Sequence, residues 1–227
     1  MQNPIYCNQI AFDLFVSQIQ QLETNTGICN AVTAIAMHFD RQISPQVVAS
    51  ELDEISNQVR NRVVSGSPRA LTARLHQVLF DELGFRGNTE NFFDPKNSFL
   101  PSVLESKRGI PITLALVYKL VAERCGLDVV GLNTPGHFLV CLNIKNERMI
   151  VDCFCGGELL SVQEVSVRNM KLTGCQQLAD SAVLKAATHR QWVARILANL
   201  IHTFSLENRP DDIAAVSELY DVLKVAY

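Results

Sequence analysis

From Ile110 to Val121 the chain carries a single charge, Lys119. Pro111 stands near the start of this run, and proline suits the first helical position because the N–H it lacks would have no partner there. Gly126 lies just beyond Arg124, where a glycine commonly ends a helix. The spacing therefore predicts a helix over 111–124. A helix apolar nearly all round has to be covered on most of its sides, so the remaining chain must wrap it. The run is too short to cross a bilayer core of ~30 Å, and it reads as a buried helix.

The chain has enough material to cover it. With 227 residues, 48% hydrophobic and 19% charged, it can bury one sizeable core. The first ninety residues read as helices. Ile10, Leu14, Phe15 and Ile19 recur at helical spacing, as do Ile28, Val32, Ile35, Ala36 and Phe39. Ser44-Pro45 and Ser67-Pro68 are paired start signals, an N-cap followed by proline. The first opens a stripe from Val47 to about Val63, and the second a helix through Leu71, Leu75, Val78 and Leu79 to Gly84. From Gly84 to Lys96 the composition turns to Gly, Asn, Asp and Pro around Phe92 and Phe93, an irregular segment with aromatic anchors. Asn97-Ser98 then opens a short helix to about Ser106.

Beyond Gly126 the hydrophobic period changes from 3.6 to 2. Val129-Val130 forms a short strand, and His137–Leu142 and Met149–Cys153 flank a polar turn as a hairpin. Trp192, Ile196, Leu200 and Phe204 mark one C-terminal helix; Ile213, Val216, Leu219, Tyr220 and Leu223 mark another. The expected class is α+β: an N-terminal helical bundle, a central helix on a small antiparallel sheet, and a C-terminal helix pair. Residues 1–187 are expected to form one domain, with the hairpin 188–227 packed on it.

Charge and cysteine usage narrow the function classes. A net charge of −3 and a pI near 6.0 give no pull toward nucleic acid or anionic membrane. Met1-Gln2-Asn3-Pro4 lacks the basic and apolar regions of a secretory signal, which points to the cytoplasm. Seven cysteines, an odd number, then read as reduced thiols serving mostly as small core residues. None has zinc-finger spacing. In Cys153-x-Cys155 the two thiols would share one face of an extended segment. Gly156-Gly157 is a turn, not a phosphate loop. No metal site or cofactor is expected.

The hairpin brings two polar residues together. With its turn centred on Lys145-Asn146, Leu139 opposes Asp152, and His137 sits one diagonal step away on the same face. A diagonal of ~7–8 Å lets an imidazole and a carboxylate meet. Asp152 would orient His137, the base-plus-orienter half of a catalytic triad. The plainer alternative is a His–Asp clasp that fastens the hairpin.

A set of spaced motifs resembles the SirB-type branch of the transglutaminase-like superfamily. It runs from Phe93-Asp94-Pro95-x-Asn97-Ser98 through Gly109-Ile110-Pro111-Ile112-Thr113-Leu114 and Gly126-Leu127. It continues in Pro135-Gly136-His137-Phe138-Leu139-Val140 and Asp152-x-Phe154-x-Gly156-Gly157. The resemblance implies a transglutaminase-like core with His137 and Asp152 in the positions of the family's His and Asp. In active members a cysteine opens the central helix, where the helix dipole and an imidazolium stabilise its thiolate. Aligned on Gly109 and Gly126, that position is Pro111, which carries no nucleophile.

Substitutes are few. Cys125 lies ~21 Å along the helix from Pro111. Cys141 is ~13 Å along the strand from His137. Thr113 has a hydroxyl in the first turn but nothing to activate it. Cys29 imitates a helix-opening cysteine outside the matched core. The expectation is a non-catalytic module with a vestigial His137–Asp152 pair, whose cleft, formed by Asn97, Arg108, Pro111, Thr113 and Gly136, binds a protein or peptide partner. Arg108 beside the site would offer a charge for an anion. The alternative is a hydrolase or thiol enzyme that uses the pair with an unconventional nucleophile. Neither nucleic acid nor membrane is an expected partner, and the oligomeric state is left open.

Overall fold

The computed structural model describes residues 3–61, 63, 67–145, 147–174 and 185–225. Met1, Gln2, Asn146 and Cys175 lie outside them. The central helix forms over the expected span, Pro111–Arg124, and every residue from Ile112 to Ala122 is buried. The one charge of the stretch Ile112–Ala122 is neutralised within the protein: the Lys119 ammonium pairs with Glu123 in the last turn and donates to the carbonyl oxygen of Val129 at 2.7 Å. Gly126, at φ +80°, turns the chain away.

Helices cover this rod. In chain order they are α1 Gln9–Gln18, α2 Asn25–Phe39, α3 Pro45–Arg60, α4 Pro68–His76, α5 Leu100–Ser106 and the central α6 Pro111–Arg124, followed by α7 Val162–Thr173, α8 His189–Leu206 and α9 Pro210–Val225. Three expectations shift. The helix projected to Gly84 widens after His76 into a π turn, Gln77–Glu82, in which the Leu83 N–H reaches the Val78 carbonyl at 2.9 Å. That turn sends Phe80 under Gly157, where a Cβ would strike its ring, and stacks it on Tyr118. Asn97 and Ser98 belong to a 3₁₀ turn, Pro95–Ser98, and α5 begins only at Leu100. Among the described residues the sheet has five strands rather than three.

Those strands are β3 Asp128–Leu132, β4 Leu139–Ile144, β5 Glu147–Asp152, β6 Glu158–Leu160 and β7 Ala186–Ala187, in the order β6-β5-β4-β3-β7 and antiparallel throughout. A separate parallel pair, β1 Arg86–Gly87 and β2 Arg108–Gly109, anchors the irregular segment. The hairpin register places Val140 against Val151 and Cys141 against Ile150, in step with the expected apposition of Leu139 and Asp152.

One face of the sheet joins α6 in the main core through Val129, Val140, Leu142 and Val151. The other carries a smaller core of Leu132, Leu139, Cys141, Ile150 and Leu160, closed by Val165 of α7. Trp192 of α8, wholly buried, fits over Gly131 and against Phe138 at 4.6 Å, and donates its indole N–H to the Ile112 carbonyl at 3.1 Å. The C-terminal helix pair is thus joined to the first turn of α6. The class is α+β, as expected. Among the described residues no helix is long and apolar enough to cross a membrane.

Candidate functional site

His137 stands ahead of β4 rather than on it, because Pro135 and Gly136 favour a reverse turn over an extended strand. Gly136 takes φ +73°. The His137 N–H donates to the Thr134 carbonyl at 3.2 Å, and the Thr134 hydroxyl donates back to the His137 carbonyl at 3.0 Å. Arg195 of α8 holds this turn from outside through Asn133 and, at 2.9 Å, the Thr134 carbonyl.

The turn delivers the imidazole to the end of β5. Asp152 Oδ2 lies 2.9 Å from His137 Nε2 and 3.6 Å from Arg168 Nη1 of α7. Oδ1 accepts the backbone N–H groups of Phe154 at 3.0 Å and Cys155 at 3.2 Å. Burial opposes ionisation of Asp152, but the hydrogen bond and charge of His137 and the Cys155 N–H outweigh it, holding the carboxyl below the usual range. Phe154 meets the His137 ring edge-on at 6.1 Å. It is itself seated against Gly87, whose N–H donates to the Phe154 carbonyl at 2.9 Å and where any Cβ would enter the ring.

Two cavities of about 460 and 420 Å³ meet over this pair, and Phe92, Pro111, Gly136 and His137 line both. The larger extends between the sheet and α7 past Leu139, Phe154, Leu160, Val165 and Leu172. The smaller is more polar and is bounded by Asp94, Arg195, Asn199 and His202. Of the expected cleft residues, Pro111 and Gly136 therefore face the cavities. Asn97, Arg108 and Thr113 line neither. Asn97 is buried and supports the rim, donating to the carbonyls of Asn91 at 2.6 Å and Phe92 at 3.1 Å. Arg108 turns away to the carbonyls of Gly84 and Lys107. Thr113 is 0% exposed, and its hydroxyl has no hydrogen-bond partner among the described residues.

The thiols separate as their surroundings dictate. Cys29, Cys125 and Cys141 are buried, and burial raises the pKa of each. Cys153 and Cys155 do not share a face, because the chain turns directly after β5: Cys153 is in the core and Cys155 is exposed at the larger cavity. Burial, then the Asp152 charge and a hydrogen bond to it, push the Cys155 thiol up to about 11. His76 contacts the Tyr118 hydroxyl at 2.9 Å, and His189 the Leu22 carbonyl at 3.0 Å. Among the described residues no His, Cys, Asp or Glu cluster is arranged to hold a metal.

The residues that periodicity alone overlooked come from α7 and α8. Arg168, Asn169 and Leu172 line the larger cavity from α7. That helix has a legible start, Ser161-x-x-Glu164, which forms a reciprocal capping box, and a legible stop at Gly174. Its apolar stripe is thin, so period alone does not reveal it. Arg195, Asn199 and His202 recur at helical spacing but on the polar side of α8, where a core-seeking pattern does not look.

A buried helix packed on an antiparallel sheet, with a His–Asp pair where the helix begins, is the frame of the site. Residues 46–198 match the transglutaminase-like superfamily, and the chain belongs to it. It is 33% identical over 183 residues to a UPF0162 protein of Xylella fastidiosa, covering 79% of this chain and 64% of that relative. A UPF0162 protein of Pseudomonas aeruginosa is 29% identical over 185 residues, covering 80% and 66%. F-box only protein 21 of Mus musculus is 32% identical over 98 residues, 40% of this chain and 16% of that protein. The chain thus spans less than two thirds of the length of these relatives. No solved structure matches it.

Proposed function

We propose that this chain is a SirB-type member of the superfamily that has exchanged the nucleophilic cysteine for Pro111 and uses its cleft to bind a protein or peptide segment without covalent chemistry. The carrying observation is the lining shared by the two cavities. His137 and Pro111 meet there, at the N-terminus of α6, and among the described residues no cysteine belongs to that shared lining, Cys155 lining the larger cavity alone. The acyl-transfer route of the family needs a thiolate at that helix end, and removing the nucleophile removes the covalent path. The Cys155 thiol, beside Asp152, is held in its neutral form by burial and by the very carboxylate that would orient a base.

An elongated cleft with an apolar and a polar compartment suits an extended chain. Residues 1–187 then act as the binding domain, with 188–227 as the helical hairpin that braces the cleft. The six described cysteines are free thiols, which supports a cytoplasmic setting.

A second reading rests on the same pair. His137, oriented by Asp152 and open to both cavities, could act as general base on water. The deciding experiment probes the wild-type chain and His137→Ala with an array of extended peptides and, in parallel, with amide and ester substrates. Saturable peptide binding with no turnover above background in either protein supports the binding module. Turnover that His137→Ala removes would replace it with the hydrolase.

A further inference from the structure

The larger cavity has a wall that the His137–Asp152 pair does not use. Val165, Asn169 and Leu172 follow one another at helical spacing and place one face of α7 along it. Asn169 is 3% exposed, and among the described residues neither its Nδ2 nor its Oδ1 has a hydrogen-bond partner. Buried side-chain amides in folded proteins almost always have partners, and an orphaned one calls for a missing group that satisfies it.

The chemistry of that group is constrained. A carboxamide presents a donor and an acceptor side by side in one plane. Its complement must offer an acceptor and a donor in the same relation. One residue of an extended peptide does this, since its own N–H and C=O project to the same side, as in the paired residues of an antiparallel ladder. A carboxylate would satisfy only Nδ2, and a hydrocarbon neither atom. The surrounding lining selects the side chain: Leu139, Leu160 and Val165 belong to the small outer core of the sheet, and the cavity opens at its end.

We infer that the larger cavity takes one residue of an extended peptide, with Asn169 clamping that residue's N–H and C=O and an apolar side chain extending the outer core against Leu139, Leu160 and Val165. The Asn169 amide is covered in the present arrangement, so engagement turns it toward the cavity by a rotamer change. This rests on the peptide-binding reading of the cleft and names the residue class it recognises.

The test uses NMR on the isotopically labelled full chain with three probes: acetyl-Ala-Leu-Ala-amide, its N-methyl-leucine analogue, and acetyl-Ala-Ser-Ala-amide. The leucine peptide should shift the Asn169 side-chain NH₂ and the Val165 methyl resonances. The N-methyl and serine peptides should bind about tenfold more weakly or worse, as the loss of a hydrogen bond or of apolar burial dictates. Asn169→Leu should bind the leucine peptide at least about tenfold more weakly yet melt at a higher temperature, because it replaces an unpartnered buried amide with hydrocarbon. Asn169→Asp, which keeps the shape and loses the donor, should weaken binding in the same direction. Undiminished binding by Asn169→Leu and Asn169→Asp, or equal binding of the N-methyl peptide, would overturn the clamp. Shifts confined to Arg195, Asn199 and His202 would also overturn it while leaving a peptide-binding cleft. No shift of any cleft residue by any probe would remove both.

Discussion

The two oxygens of the Asp152 carboxylate are divided: Oδ2 faces His137 Nε2 at 2.9 Å, with Arg168 Nη1 at 3.6 Å, and Oδ1 is taken by the backbone N–H groups of Phe154 and Cys155. One carboxylate thus fixes the imidazole and the turn after β5 together, so a change at Asp152 should be felt both in stability and in the chemistry around it.

Asp152→Asn should destabilise the chain by about 1–3 kcal/mol, measured by urea unfolding at pH 7, because His137 and Arg168 lose the anion they face. The sign of the pH dependence follows from the lowered folded pKa. An ordinary aspartate titrates near ~3.9, so as pH falls through that range the unfolded chain takes up protons first. The contribution is complete above about pH 4 and is lost as acid titrates the folded carboxyl. Asp152→Asn should flatten that limb; an unchanged acid limb would mean that the carboxyl is not held low.

Cys155 should alkylate slowly at pH 8 despite its exposure, with a rate that climbs toward its pKa of about 11. In Asp152→Asn the carboxylate that disfavours the thiolate is gone, so labelling by iodoacetamide at pH 8 should accelerate. An ordinary rate in the wild type, unaltered by that substitution, would contradict the thiol's placement beside Asp152.

Pro111→Cys should create a reactive thiol. The N-terminus of α6 and a protonated His137 both favour thiolate, so iodoacetamide should label it quickly at pH 6–7, and His137→Ala should slow the labelling. Stability should change little, since the first helical position tolerates cysteine. A new thiol no more reactive than a free surface cysteine would reduce His137 and Asp152 to a structural clasp.

Gly87→Ala should cost about 1–3 kcal/mol, because the added methyl would sit 2.5 Å from the Phe154 ring and force it off its seat. Phe154 meets His137 edge-on, so the His137 ring-proton shifts should change with it. A melt and ring shifts identical to wild type would show that Phe154 does not depend on Gly87.

The contact between His137 and Asp152 was legible because short-range rules govern it. Pro111, Gly126 and the apolar run dictate α6, and the turn length sets the hairpin register that brings His137 to Asp152. Proximity in sequence predicts Arg108 and Thr113 in the cleft. Yet the β1–β2 pairing takes Arg108 to the Gly84 carbonyl, and the first turn of α6 points Thr113 into the core. Nearness along a chain does not determine which way a side chain faces once a second element packs on it.

The sequence by itself determined the α+β class, the buried helix and the hairpin, since all three follow from periodicity and turn chemistry within one or two elements. Only the tertiary structure decided what encloses the pair. Phe92 arrives from an irregular loop, Arg168 and Asn169 from α7, and Arg195 and His202 from α8. Those contacts join residues far apart along the chain, and their geometry is set by how helices close around a sheet, a consequence of packing the whole core that no local pattern encodes.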